Sequence, residues 1–266
     1  MLKKALIFLT TATLSLSAYS DYDMDGVEDS NDRCPNTPFN ELVDIKGCTI
    51  KALQSQHHFD VIYGLSFSET DYTTIPKSDT ISQNLQIDYY YQDFSIQAST
   101  SYYDSDYDSG LNDSFIGAYY KVSPENELTL RIGAGAIIPT YDSELDNNNM
   151  DFVGSLNLSY MKENINFFGG YSYTVVNDDD ILGIVSYQNT NSYSGGVGFY
   201  PLKKLYTSIS YTNSDSVYKG VEDIETASFY AFYSIDANWF TTFSYSYGIS
   251  DSASDNSVSL RVGYYF

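Results

Sequence analysis

The chain has few of the residues on which enzyme sites and nucleic-acid interfaces most often depend. It holds two histidines, two cysteines and 13 Lys and Arg residues against 35 Asp and Glu residues, a formal net charge of -22 over 266 residues. An acidic excess of this size argues against nucleic acid as a partner, because phosphate groups repel it. The stretch around Cys34 and Cys48 offers too few Cys and His ligands for a zinc site.

Long hydrophobic runs are also lacking. No stretch of about 18 apolar residues, the length of a membrane-spanning helix, occurs in the chain. This absence leaves a membrane barrel open, because a barrel strand meets lipid only at every second residue. Aromatic residues make up 17% of the chain and include 28 tyrosines. Tyrosine suits a membrane interface, although it is also a good strand former in any sheet.

The clearest positive pattern is the strict alternation of the last ten residues, SVSLRVGYYF. A period of two predicts a β-strand between unlike surroundings. One side carries Val258, Leu260, Val262, Tyr264 and Phe266, and the other carries Ser257, Ser259, Arg261, Gly263 and Tyr265.

The same alternation recurs along the chain and predicts twelve strands in all. The other eleven are 59–67, 85–91, 94–102, 116–122, 128–138, 152–160, 165–175, 193–199, 205–211, 227–235 and 239–250. Five short links, at 92–93, 124–127, 163–164, 201–204 and 236–238, alternate with six longer ones at about 69–80, 104–113, 141–151, 177–190, 213–223 and 250–256. A water-soluble sandwich also has short alternating strands, but it does not need short and long links to alternate.

This arrangement resembles the bacterial outer-membrane β-barrels. The resemblance implies an all-β fold, a 12-stranded antiparallel transmembrane barrel over residues 57–266, whose last strand pairs with 59–67. It implies a place in the cell outer membrane, with outer-membrane lipid and lipopolysaccharide as partners. Tyr264 and Phe266 would then belong to the C-terminal signal that the barrel-insertion machinery reads.

Residues 1–20 have the layout of a secretory signal peptide. Lys3 and Lys4 precede an apolar stretch from Ala5 to about Leu16, and small residues follow at the candidate cleavage positions. We expect cleavage after Ser20, with cleavage after Ala18 as the alternative.

Residues 21–35, DYDMDGVEDSNDRCP, carry acids at the spacing of a calcium loop, with Gly26 where a sharp turn is required. The predicted Ca²⁺ ligands are Asp21, Asp23, Asp25, the Val27 carbonyl, Asp29 and Asp32. Together with Cys34-Pro35 and the VDIKGC segment that ends at Cys48, the motif resembles a single thrombospondin type 3 repeat over residues 21–50. The alternative is an acidic, solvated tether.

Cys34 and Cys48 are the only cysteines, and in an exported chain such a pair predicts a disulfide. It would close a loop of about fifteen residues, worth about 3 kcal/mol in the chain-entropy model. Residues 51–56 then link this module, expected in the periplasm, to the barrel. The link lacks the long helix that an autotransporter threads through its pore.

Inward positions of the predicted barrel carry mostly Ser, Thr, Gly, Asn, Gln and Tyr. The inward charges are few, and the lumen candidates among them are Asp88, Arg131 and Arg261. Twelve strands permit a narrow pore, between the filled interior of eight strands and the aqueous channel of sixteen. Inward tyrosines would either fill the lumen or stack on sugars or nucleosides, and they include Tyr90, Tyr103, Tyr119, Tyr206 and Tyr265. Catalysis is not expected, because His57 and His58 stand at the periplasmic start of the first strand.

The predicted function is a narrow porin-like channel for small cationic or neutral solutes. Its long loops are acidic, as in Asp178, Asp179 and Asp180, and carboxylates at a pore mouth attract cations. The same acids could instead bind divalent ions that bridge lipopolysaccharide. The alternative function is a non-conducting envelope protein that acts in tethering, adhesion or ligand binding through these loops.

Overall fold

Antiparallel strands that close into a ring make up the larger part of the molecule. The computed structural model describes residues 23, 27, 29, 32–34, 37, 43, 45–48, 57–71, 77–125, 127–142 and 148–266. The chain divides into two units, Met1–Ser55 and Gln56–Phe266. The strands are β1 (His57–Thr70), β2 (Ser78–Tyr91), β3 (Phe94–Ser105), β4 (Ser109–Leu111), β5 (Ser114–Glu125), β6 (Leu128–Ile138), β7 (Asp151–Lys162), β8 (Ile165–Val175), β9 (Thr190–Leu202), β10 (Leu205–Ser214), β11 (Ile224–Ser234), β12 (Trp239–Gly248) and β13 (Asn256–Tyr265).

Each long strand pairs with its neighbours in the chain, and β13 pairs with β1 to complete the ring. The register places Phe67 opposite Val258 and Val61 opposite Tyr264. The backbone N–H of Phe266 donates to the Phe59 carbonyl at 2.8 Å, which extends the closing pair to the last residue. The prediction of a closed 12-stranded antiparallel barrel, sealed by the C-terminal strand, is therefore confirmed.

The ring turns its apolar side chains outward. Leu65, Ile209 and Leu260 are 52%, 66% and 55% exposed. Among the described residues only Ile62 and Ala253 are buried hydrophobic residues, so the ring has no conventional apolar core. In the described strands, outward-facing charged residues occur only at strand ends. These are Glu69, Asp79, Asp104, Glu125, Lys162 and Glu225.

Outward aromatic side chains gather in two bands, near the two ends of the strands. Near one end Trp239 meets Tyr264 with ring centroids 4.8 Å apart, and Phe59 meets Tyr89 at 5.0 Å. Near the other end Tyr171 meets Tyr193 at 5.1 Å. The outward residues between the bands are mainly aliphatic, as in the aromatic girdles of a membrane barrel.

Short and long links alternate around the ring as predicted. The links at 92–93, 126–127, 163–164, 203–204 and 235–238 are short, and Gln92 and Glu163 adopt φ of 54° and 56°. A left-handed residue at the first position suits a two-residue hairpin, because its twist matches that of the strands. We call this end of the barrel the short-turn end. The opposite end, with the links at 71–77, 106–113, 139–150, 176–189, 215–223 and 249–255, is the long-loop end.

The strands extend beyond several predicted limits, and one strand was not predicted. The short strand β4 pairs with β3 inside the link at 106–113. Ser105 and Asp108 hold the turn between them, because the Ser105 N–H donates to the Asp108 carbonyl and the Asp108 N–H donates to the Ser105 hydroxyl. Three residues are too short to show a period of two, so the pattern could not reveal β4.

In the N-terminal unit, Cys34 and Cys48 form the predicted disulfide, with their Cα atoms 5.1 Å apart. The buried Thr37 lies beside this bridge, and its hydroxyl donates to the Gly47 carbonyl at 2.7 Å. No helix among the described residues has the length and apolar character needed to cross a membrane.

The lumen wall as the candidate functional site

The long-loop half of the lumen is lined by small hydroxyl side chains. Ser66 faces Ser259 across the closing pair, and the hydroxyls of Ser228 and Ser246 lie 2.8 Å apart across β11 and β12. Asn84 donates to the Ser66 hydroxyl at 3.1 Å. These hydroxyls present both donors and acceptors, and larger inward side chains such as Phe115 stand among them.

Four charged residues of the lumen lie toward the short-turn end. Asp60 and Asp88 stand directly opposite each other on β1 and β2, and both are buried in the wall, at 9% and 6% exposure. The Tyr90 hydroxyl donates to Asp60 at 3.2 Å. Both Arg131 and Arg261 interact electrostatically with Asp88. The three predicted lumen residues, Asp88, Arg131 and Arg261, thus lie close together.

Arg261 reaches this group by crossing a glycine. Gly64 stands opposite Arg261 on β1, and a Cβ at Gly64 would overlap the Arg261 side chain. The guanidinium therefore extends over β1 to donate to Gln86 on β2, and Gln86 in turn donates to Asp88 at 2.7 Å. Arg261, Gln86 and Asp88 form one hydrogen-bonded chain across three strands.

Arg131 is held in a similar way on the other side of Asp88. Its guanidinium carbon lies 3.7 Å from the centre of the Tyr119 ring, and a guanidinium N–H donates to the Ser95 hydroxyl at 3.4 Å. Lys121, also inward, forms an ion pair with Asp93 at 3.8 Å. We call Asp60, Gln86, Asp88, Arg131 and Arg261 the polar arc; its formal charges balance.

Large aromatic side chains line the wall at the same end of the lumen. We call Tyr200, Tyr206, Tyr230, Phe232 and Phe240, from β9 to β12, the aromatic arc. The Tyr206 ring lies 5.0 Å from that of Tyr200 and 6.5 Å from that of Tyr230. Phe232 and Phe240 stack at 5.4 Å. All five belong to the five residues of their strands nearest the short turns.

Glycines let two of these rings lie along the wall. A Cβ at Gly198 would overlap the outer end of Tyr206, and a Cβ at Gly263 would overlap the Phe240 ring. Each ring therefore extends sideways over the neighbouring strand instead of straight toward the pore axis. Asn166 fixes Tyr206 further by donating to its hydroxyl at 3.1 Å.

The two arcs occupy different parts of the lumen wall and adjoin at β12 and β13, where Arg261 interacts electrostatically with Tyr230. In a ring of twelve strands each strand faces the one six places further on, so β2 lies across from β9 and β6 lies across from β12. Asp88 therefore faces the side of Tyr200, and Arg131 faces the side of Phe240. Sequence reasoning named Tyr206 as inward but not Phe232 or Phe240. The sequence feature that could have identified Phe232 and Phe240 is an inward position next to a short turn.

The predicted calcium ligands are only partly described. Asp23 accepts the Thr37 N–H at 2.7 Å, and Asp32 accepts the Cys34 N–H at 2.7 Å. Asp21 and Asp25 lie outside the described residues. Within the residues that the structure describes, no group of three His, Cys, Asp or Glu side chains is arranged to hold a metal. Calcium binding stays a prediction.

At the long-loop end, acids of the links accept hydrogen bonds from backbone. The links 176–189 and 215–223 pair through Tyr187 and Tyr218, and we call them together the loop lobe. The Tyr187 N–H donates to Asp180 at 2.7 Å, and Lys219 lies 3.4 Å from the same carboxylate. The backbone N–H of Tyr187, with Lys219 beside it, lowers the pKa of Asp180.

The histidines lie at the short-turn end of β1. The His57 ring nitrogen Nδ1 is 2.7 Å from the Tyr89 hydroxyl, and the His58 ring stacks on Tyr265 at 5.2 Å. Both histidine side chains, which stand at the start of the first strand, thus contact aromatic residues of neighbouring strands.

Solved structures of porins share this fold. No family model and no curated protein matches the chain. The NanC porin is 16% identical in sequence to this chain, and its structure matches with a TM-score of 0.55. The match covers 78% of this chain and 98% of the NanC chain. The KdgM porin is 12% identical, also with a TM-score of 0.55, over 78% of this chain and 99% of that one. KdgM was also solved in complex with disordered oligogalacturonate, with a TM-score of 0.52. At these identities the likeness concerns the fold.

Proposed function

We propose that this protein is a porin-like channel of the outer membrane that passes small solutes. One observation carries the proposal: the ring is apolar outside, with aromatic bands near both ends, and hydroxyl-lined inside. An apolar surface that surrounds a whole ring is far larger than the patches that water-soluble monomers expose. Lipid outside and water inside are the surroundings that suit both faces.

The proposed orientation follows the links. In outer-membrane barrels short turns face the periplasm and longer loops face the exterior. The short-turn end and residues 21–56 then belong to the periplasm, and the loop lobe faces the exterior. Outer-membrane lipid and lipopolysaccharide contact the outer wall, and Tyr264 and Phe266 serve as the insertion signal.

The polar arc favours neutral solutes over acidic ones. Asp60 and Asp88 balance Arg131 and Arg261 in formal charge, and hydrogen bonds hold all four side chains in the wall. An acidic oligosaccharide would need a track of unpaired cationic side chains. These described residues do not form one. Acids at the long-loop end add an attraction for cations, which salt weakens.

Single-channel recording in planar bilayers tests the channel. Purified protein should produce stepwise ionic currents. In the Ser210→Cys variant, a membrane-impermeant thiol reagent should reduce these currents. Ser210 faces the lumen, at a level above the two arcs and below the long loops. Ile209→Cys, the adjacent outward residue at 66% exposure, is the matched control and should be unaffected. Absence of current at any voltage would overturn the channel and favour the second candidate.

That second candidate is a non-conducting protein that binds a partner through its exterior loops. The loop lobe favours it, because backbone bonds such as Gln188 N–H to the Val217 carbonyl, at 2.8 Å, hold the two links in a defined shape. Leu182 and Ile184 stand exposed beside Gly183, which has a φ of 77°. We rank this function second, since it leaves the polar lumen unexplained.

We propose in addition that residues 21–50 bind Ca²⁺. The spacing of the acids supports it, as does the disulfide that shapes the segment. Calorimetry on the oxidised full-length protein should show binding heat with calcium, and Asp25→Ala should reduce it. Asp251→Ala, in the last long link, is the control for calcium bound at the acidic loops. Equal heat in the wild type and Asp25→Ala would contradict the assignment.

A further inference from the structure

The polar arc and the aromatic arc together line one region of the lumen at the short-turn end. We propose that this region is a binding subsite for a neutral sugar, one ring of which stacks on the aromatic arc while its hydroxyls meet the polar arc. This inference rests on the proposed channel function and names its solute class. Neither arc alone would select such a solute.

The aromatic arc supplies flat apolar surface. Gly198 and Gly263 have no side chains, so the outer ends of Tyr206 and Phe240 fit over them. Both aromatic side chains therefore lie along the wall. The ring contacts of 5.0 Å to Tyr200 and 5.4 Å to Phe232 make the surface continuous over neighbouring strands. A pyranose ring has C–H groups on its faces, and such faces pack on aromatic rings. An open-chain polyol has no comparable flat face.

The polar arc supplies the directional contacts. Arg131 and Arg261 are donors, Asp60 and Asp88 are acceptors, and Gln86 is both. Hydrogen bonds within the wall hold these side chains in place, so little ordering is needed when a solute arrives. A few positioned polar groups beside an apolar surface are the usual composition of a small-molecule site.

Charge argues for a neutral solute. The polar arc contains two carboxylates and two guanidinium groups, all at the short-turn end. Asp60 and Asp88 would repel an anion that the arginines attract. The arginines would repel a cation that the two acids attract. A sugar hydroxyl can accept from the guanidinium groups and can donate to or accept from the Gln86 amide, and it carries no charge that either sign would repel.

Sugar-dependent block of the ionic current is the test, with maltose, glucose and sorbitol as probes. Maltose and glucose should reduce the current of the full-length protein in a saturable way, and sorbitol, an open-chain hexitol, should reduce it less. Tyr206→Ala and Phe240→Ala should each weaken the apparent maltose affinity about two- to tenfold. Tyr206→Phe, which keeps the ring, should retain most of the affinity.

Phe115→Ala is the matched control, because Phe115 is also inward and large but lies at the long-loop end of β5. Its maltose block should equal that of the wild type. Currents that no sugar blocks, or a block equal in wild type, Tyr206→Ala and Phe240→Ala, would overturn the subsite while leaving the channel intact. A protein without current would overturn the channel, and calorimetry with maltose on the same preparation would then decide the subsite.

Discussion

At the scale of the residue, Asp180 shows how a carboxylate orders a loop instead of only charging it. Its oxygens accept the Tyr187 N–H and lie near Lys219, and these contacts lower its pKa below the usual 3.8. A lowered pKa in the folded state means that the carboxylate stabilises the loop lobe at pH values above 3.8. That contribution is lost as the pH falls through the lowered pKa.

We therefore expect the Tyr187 amide to be more protected from hydrogen exchange above pH about 5 than below pH about 3, after correction for the intrinsic rate. Asp180→Asn should remove the pH dependence, because the amide keeps the acceptor but not the charge. Asp251→Asn, in a different link, should leave it unchanged. Equal protection on both sides of the transition would show that Asp180 does not order the lobe.

At the scale of the element, β13 separates two environments with adjacent residues. Leu260 is outward and 55% exposed, whereas Ser259 faces Ser66 and Ser244 inside the ring. Both stand near the middle of the strand, so they differ in side of the wall and not in depth. Because side chains alternate along the strand, one of two adjacent residues faces lipid and the other faces water.

Leu260→Arg should lower the free energy of unfolding in lipid vesicles by about 2–4 kcal/mol, as a cation at the bilayer midplane does. Ser259→Arg should cost much less, because its charge enters the aqueous lumen. Denaturant unfolding, followed by tryptophan fluorescence, measures both variants. Similar losses in the two variants would contradict the assigned faces of the wall.

At the scale of the whole molecule, closure gives each of the twelve long strands a partner on both sides. The first and last long strands pair over ten residue positions, from Asp60 with Tyr265 to Glu69 with Asn256. An open sheet in a membrane would expose unpaired N–H and C=O groups, each at a cost of several kcal/mol. Ring closure is thus the condition under which the other strands can remain in lipid.

A double variant tests this closure directly. Ser66→Cys with Ser259→Cys should form a disulfide under oxidising conditions, because the two residues are direct partners across β1 and β13. The bond would appear as a mobility shift in an unfolded sample that reductant reverses. Ser66→Cys with Ser246→Cys is the control, since Ser246 pairs with β11 and β13 and not with β1. Bonding in the control alone would contradict the ring order.

Sequence and structure contribute differently to the strands and to their links. The period of two indicates which residues face outward, and it also predicts the strand number and the alternating links, because alternation is a local property of each strand. Links without a period, such as the one with β4 and the two that form the loop lobe, depend on contacts with other links. Their shapes could not be read from the pattern.

By itself the sequence determined the barrel, its closing strand, the Cys34–Cys48 pair and the inward position of Asp88, Arg131 and Arg261. Only the tertiary structure decided which inward residues meet. Arg261 and Gln86 are 175 positions apart in the chain, and the register of β13, β1 and β2 joins them over Gly64. The separation of polar and aromatic arcs has the same origin. Alternation sets the side of the wall, whereas the stagger between strands sets the neighbours.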